Sequence, residues 1–137
     1  MDERDRINAA AEAHQRIKGH FVYLMGMIPR VPAIAALPMQ WSPEHYEDRA
    51  DFIFLGQPCR LKMNFAWLDT SGYVGQVVLQ LRDADGKATD IRAACLIDPV
   101  GNFFLTDARR RMFNGQDPAN VAAIIMHILG MLVPGPK

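Results

Sequence analysis

The sequence predicts an α+β domain: an antiparallel β-meander of four to five strands with an N-terminal and a C-terminal helix packed on one face. Three observations lead there. Between residues 59 and 105 three segments alternate apolar and polar residues in the manner of half-buried strands. Asp-x-x-Gly tetrads separate or bound these segments: Asp69-Thr70-Ser71-Gly72, Asp83-Ala84-Asp85-Gly86 and Asp98-Pro99-Val100-Gly101. On either side the apolar spacing changes to steps of three and four, the period of a helix.

Each tetrad fits a three-residue hairpin loop, a type I turn followed by a residue in the left-handed region, where glycine escapes the Cβ penalty. Aspartate suits the first position because its carboxylate accepts from nearby backbone N–H groups, and Pro99 pre-sets the next dihedral. Gly72, Gly86 and Gly101 are therefore expected at positive φ. The loops also predict the pairing. The first sets Trp67 opposite Gly75, Phe65 opposite Val77, Met63 opposite Leu79 and Leu61 opposite Leu81. The second aligns Leu81 with Thr89, Leu79 with Ile91, Val77 with Ala93 and Gly75 with Cys95; the third aligns Ile97 with Phe103 and Cys95 with Leu105. Opposed residues share a face, so these sets make one apolar face. A further strand at Phe52 to Leu55, returning through Gly56-Gln57-Pro58, pairs with the first.

The N-terminal helix starts at Asp2 and recurs through Ile7, Ala10, Ala11, His14, Ile17 and Phe21; Gly19 either ends it or sits inside a helix reaching Met25. Prolines at 29, 32, 38 and 43 exclude regular helix from the next stretch, which is expected to wrap apolar residues over the core. Ser42-Pro43-Glu44 resembles an N-cap with a first-turn proline, and predicts a short helix through about Arg49. Asp117-Pro118 opens a second long helix through about Val133, ended by Pro134-Gly135-Pro136. It is apolar almost all round: Val121, Ile124, Ile125, Ile128, Leu129 and Leu132 form one face, while Ala122, Ala123, Met126 and Gly130 form another, relieved only by His127.

Fifteen basic residues balance fifteen acidic ones over 137 residues. The chain as a whole has no electrostatic preference for nucleic acid or anionic membrane. Its N-terminus carries charge where a secretory signal needs apolar residues, and no run approaches a membrane span, so a cytoplasmic, single-domain protein is expected. Two widely spaced cysteines fit a reducing compartment, and Cys59 and Cys95 read as buried thiols too far apart to join.

Turn chemistry accounts for the three aspartates without a catalytic role. The string DTSGYVG departs from the Asp-x-Ser-x-x-Gly signature of PilZ domains, with its glycine one residue late at Gly75 and no upstream Arg-x-x-x-Arg, and implies no ligand. The histidines at 14, 20, 45 and 127 lack metal-ligand spacing, so neither a metal nor a cofactor is expected. Arg109, Arg110 and Arg111 read as a solvated turn or helix face. No phosphate-binding loop, nucleophile elbow or dinucleotide fingerprint is present in the sequence.

Two functions follow. The first is a non-enzymatic interaction module (adaptor, secretion-chaperone-like or immunity-like), a homodimer or partner of another protein, acting through Val121, Ala123, Ile124, His127, Ile128 and Met131 of the apolar helix. The second is a small-ligand or enzymatic domain with a pocket between the sheet and the proline-rich stretch, lined by Trp41, His45, Tyr46 and Trp67. On the polar face the predicted pairing opposes Arg60 and Arg82, two like charges that an anion could bridge.

Overall fold

A computed structural model describes residues 2–42, 48–68, 72–105 and 111–133. Helix α1 (Glu3–Met27) leads through a 3₁₀ turn (Ile28–Arg30) and α2 (Pro32–Ala35) into seven strands: β1 (Met39–Trp41), β2 (Arg49–Phe54), β3 (Gln57–Leu68), β4 (Gly72–Arg82), β5 (Ala88–Ile97), β6 (Asn102–Leu105) and β7 (Met112–Asn114). Helix α3 (Pro118–Gly130) is the last element among the described residues. The strands form one antiparallel sheet in sequence order, a meander throughout. The α+β class matches the prediction, but the strand count of four to five was too low. Strands β1 and β7 have three residues each, too few for alternation to be legible.

The three hairpins met the predicted register to different degrees. Between β5 and β6 it is as predicted, Ile97 opposite Phe103 and Cys95 opposite Leu105. The Asp98 carboxylate holds that turn, accepting from the N–H groups of Val100 (3.0 Å), Gly101 (2.9 Å) and Asn102 (2.9 Å). Asp83 does the same for the β4–β5 turn, accepting from Asp85 and Lys87, both at 2.9 Å. Gly72, Gly86 and Gly101 all have positive φ.

The β3–β4 pairing is shifted by two residues, with Leu68 opposite Gly72, Trp67 opposite Tyr73, Phe65 opposite Gly75 and Met63 opposite Val77. A slip of two preserves the face of every side chain, so the predicted core set stays inside. One consequence is that Arg60 faces Gln80 rather than Arg82. The β4–β5 pairing starts as predicted at Leu81–Thr89, then shifts at two bulges and resumes with Val77 opposite Cys95. Each bulge inserts one β5 residue, Ile91 and Ala94, and restores the core face only after the second. Ile91, expected in the core, is instead exposed.

Asp2 caps α1, accepting from the N–H of Asp5, and the helix runs past Gly19 to Met27. In the proline-rich stretch, Pro29 and Pro32 sit in the first positions of the 3₁₀ turn and of α2. This corrects the expectation of no helix there: a first-turn proline lacks only an N–H that would be unbonded anyway. The stretch does bury Ile28, Val31 and Ile34. Residues 43–47 of the predicted short helix lie outside the described residues, and Arg49 belongs to β2.

Both long helices lie on one face of the sheet. Helix α1 crosses β4 and β5, whereas α3 lies on β6 and β7 and meets α1, α2 and the 3₁₀ turn. Ile17, Phe21 and Leu24 of α1, Val121, Ile124 and Ile128 of α3, and Phe52, Leu61, Leu79, Ile97 and Phe103 of the sheet belong to one buried cluster. No helix among the described residues is long and apolar enough to cross a membrane.

Candidate functional site

The sequence grouped Trp41 with Trp67, but the sheet separates them. Phe52 lies opposite Trp41 on one side and Cys59 on the other, and Trp67 is further along β3 by eight residues, about 26 Å at the rise of an extended strand. His45 and Tyr46 fall outside the described residues. Two separate surfaces result, one around each tryptophan.

At the Trp67 end, four rings follow one another across the surface between α1 and the sheet, exposed at both ends and half-buried in the middle. His14 meets Phe65 edge-on (5.1 Å, 85°), Phe65 stacks on Tyr73 (5.4 Å, 11°), and Tyr73 meets Trp67 edge-on (4.6 Å, 71°). These are favoured aromatic geometries, and they hold the outermost ring in place. Trp67 is nonetheless 60% exposed, and Ile7, on the first turns of α1 beside Tyr73, is 67% exposed. Alternation on β3 places Trp67 on the same face as Met63, which is buried, and Phe65, which is half-buried, yet Trp67 itself is largely uncovered.

At the Trp41 end the polar face of the sheet carries a charge cluster. The Arg60 guanidinium donates to both oxygens of Asp51, at 2.7 and 3.3 Å, and Arg82 Nη1 lies 3.6 Å from the same carboxylate. Lys62 pairs with Asp48, and Gln80 donates to Asp90 at 2.6 Å. Burial pushes the Asp51 carboxyl up, but the Arg60 hydrogen bond and the charges of Arg60, Arg82 and Arg49 outweigh it and leave the group below its ordinary value. The Lys62 hydrogen bond does the same for Asp48. The predicted Arg60–Arg82 opposition is thus replaced by two guanidiniums converging on one carboxylate. Asp51 escaped the sequence reading by one residue, because the strand was expected to start at Phe52; the signal was its place opposite Arg60 across the Leu55-Gly56 turn.

Beside this cluster opens a cleft of about 460 Å³ lined by Gln40, Trp41, Ser42, Asp51, Phe52, Ile53 and Arg82. A second cleft, about 510 Å³, is bounded by His20, Tyr23, Phe103 and Gly115. There His20 Nε2 lies 3.0 Å from the Pro99 carbonyl oxygen, and its ring occupies the space a side chain at Gly101 would need. That histidine fastens α1 to the β5–β6 turn.

On α3, Val121, Ile124 and Ile128 are buried within the chain, and Ala123, His127 and Met131 are half-buried. The apolar surplus of this helix is met largely by α1, α2 and the 3₁₀ turn. Cys59 and Cys95 are buried free thiols. Burial pushes the Cys95 thiol up to about 12 and raises Cys59, the latter against the opposing charge of Arg82. Among the described residues no three His, Cys, Asp or Glu side chains converge as a metal site would require. Arg109 and Arg110 lie outside the described residues. What both surfaces offer chemically is recognition, a rigid aromatic anchor at one end and a set of N–H donors at the other. Compared with known proteins, the chain matches no family model, no curated protein and no solved structure, so its function is argued from these two surfaces alone.

Proposed function

We propose that the chain is a protein-interaction module whose contact surface is the Trp67 end of the sheet, and that a second copy of the chain docks there as a two-fold dimer. The observation that carries the reading is Trp67, 60% exposed yet fixed against Tyr73, on whose other side the exposed Ile7 lies in a shared cleft. Tryptophan and tyrosine dominate binding energy at interfaces because they bury much area at little entropic cost. The surface differs from the one expected on the C-terminal helix, where Val121, Ile124 and Ile128 are already covered.

A second copy fits for two reasons. The chain carries no net charge and so no long-range self-repulsion. The turn of α1 beside Ile7 carries Glu3, Arg4, Asp5 and Arg6, both signs within four residues. Under a two-fold axis the same patch meets itself in reverse, which lets acid face base. Light scattering from low to high micromolar concentration tests the reading. A dimer is expected, and Trp67→Ser should shift it to monomer while leaving the circular dichroism spectrum unchanged. A wild-type chain that stays monomeric throughout, or a dimer indifferent to Trp67→Ser, overturns it.

A further inference from the structure

We infer that the cleft between α1 and the β5–β6 turn is a binding site for an uncharged planar heterocycle, a free nucleobase or its nucleoside. The cleft shares no residue with the Trp67 surface, and the inference stands independently of that reading.

The floor of the cleft is fixed. Phe103 of β6 is buried, and it lies so close to Gly115 that a Cβ there would overlap its ring. The Gly115 N–H donates to the Gly101 carbonyl oxygen at 3.1 Å. Gly101 in turn lies against the His20 ring, where a Cβ would stand 2.9 Å from Cε1, and His20 Nε2 is 3.0 Å from the Pro99 carbonyl oxygen. The Asp98 carboxylate holds the same turn from within. Floor and one wall are therefore formed before any ligand arrives, as in most small-molecule sites.

The other wall is on α1, where Gly19 and Tyr23 lie one turn apart on one face. Side chains at i and i+4 of a helix meet, so a larger residue at position 19 would cover the Tyr23 ring. Glycine inside an exposed helix costs stability relative to alanine, and packing does not require it here, since a Cβ at Gly19 would meet nothing within 4 Å. The missing side chain leaves open space beside a phenol ring that is itself exposed.

The lining defines the ligand. Among the described residues no formally charged side chain borders the cleft, which favours a neutral molecule over an ion. The exposed Tyr23 ring offers a face on which a flat ring can stack. A carbonyl oxygen only accepts, so His20 Nε2 carries the proton toward Pro99, and Nδ1 of the neutral ring is an acceptor. The Gln116 main-chain N–H donates to Asn114 Oδ1 at 2.9 Å, which fixes the point from which its side chain extends. That side-chain amide presents a carbonyl beside an NH₂ group. Its complement is a ring edge with an N–H beside an acceptor, an edge that every nucleobase carries. At about 510 Å³ the cleft has room for a pentose as well.

Adenosine and uridine are the probes, set beside their free bases, their monophosphates and methyl glucoside. In ¹H–¹⁵N spectra of the full chain at least one nucleoside should move the signals of Gly19, Gly101 and Gly115 saturably and leave that of Gly86, in the β4–β5 turn, in place. A free base that binds as tightly as its nucleoside shows that the ring alone is recognised, whereas tighter binding of the nucleoside assigns part of the cleft to the pentose. Tyr23→Ala should weaken binding roughly tenfold, the loss expected when one stacking partner is removed. Gly19→Gln fills the open space with a helix-favouring residue. It should weaken binding at least as much while unfolding in urea no earlier than wild type, which separates lost room from lost fold. Arg92→Gln, outside the cleft, should bind as wild type. The inference is overturned if no nucleoside or base moves these signals, if Gly19→Gln binds as tightly as wild type, or if a monophosphate or methyl glucoside binds more tightly than both nucleosides.

Discussion

Replacing Gly75 by alanine tests the way α1 sits on the sheet. Gly75 lies in β4 opposite Phe65 and has no positive φ, so its backbone would accept any residue. The obstacle is space. A Cβ there would stand 2.5 Å from Ile17 Cγ2, 3.0 Å from Met63 Sδ and 3.1 Å from Met63 Cγ. Carbon contacts relax at about 3.5–4.0 Å, so the overlap with Ile17 is about 1 Å. Ile17 is fully buried and stiff about χ1, and cannot step aside alone. Overpacking of this kind costs about 1–3 kcal/mol, and the reduced freedom of the unfolded chain returns about 0.4–1 kcal/mol. The net expectation is a loss of about 1–2 kcal/mol, or a Tm lower by about 4–8 °C for a chain of this size. The same substitution at Gly19 should act in the opposite sense. Gly19 is exposed inside α1, and a Cβ added there would meet nothing within 4 Å, so alanine should add about 0.5–1 kcal/mol. Denaturant unfolding of both variants gives the two signs. A cycle with Ile17→Ala should show favourable coupling, because the atom that clashes has gone. Gly75→Ala as stable as wild type, or without coupling to Ile17, would refute the close approach.

Two other outcomes follow from single residues. Leu55 has φ 52° and is exposed in the turn between β2 and β3, beside Gly56 at φ 78°; the left-handed region costs a residue such as leucine about 1–2 kcal/mol, so Leu55→Asn, which makes the favoured Asn-Gly turn, should raise stability by about 1 kcal/mol in urea unfolding, and a loss would contradict the turn. Asp51 is held below its ordinary value of 3.8; a depressed carboxyl contributes stability that is present above the unfolded value and lost as pH falls through the folded one. Tm followed from neutral pH down should therefore drop below about pH 4. In Asp51→Asn it should start lower and fall less steeply, and an unchanged acid slope would show that the pair with Arg60 carries no such linkage.

Much of the architecture was legible because it rests on local chemistry. The Asp98 and Asp83 turns are formed by atoms a few residues apart, and a carboxylate that bonds its own loop needs no help from the rest of the chain. The caps at Asp2 and Asp117 and the alternation of β3 and β4 are likewise written in neighbouring residues. The candidate sites were legible only in part. Trp41, Trp67, Arg60 and Arg82 were recognisable as residue types able to bind, but their grouping depended on a pairing that hairpin loops leave open by two residues. That slip set Arg60 opposite Gln80 instead of Arg82, while the β2–β3 hairpin placed Asp51 opposite Arg60.

By itself, the sequence determined the class of the fold, the meander, the glycines of its three turns, the start of both long helices and the face on which each β3 and β4 side chain lies. Period and turn chemistry act over a few residues, and these features need nothing more. The tertiary structure decided the rest: the two-residue shift in β3–β4, the bulges that turn Ile91 outward, the covering of α3 from within the chain and the distance between the two tryptophans. Each of these depends on which distant surfaces meet. A hydrophobic residue specifies only that it be buried, and whether its cover comes from its own chain or from another molecule is settled by packing, as Val121 and Trp67 show from opposite sides.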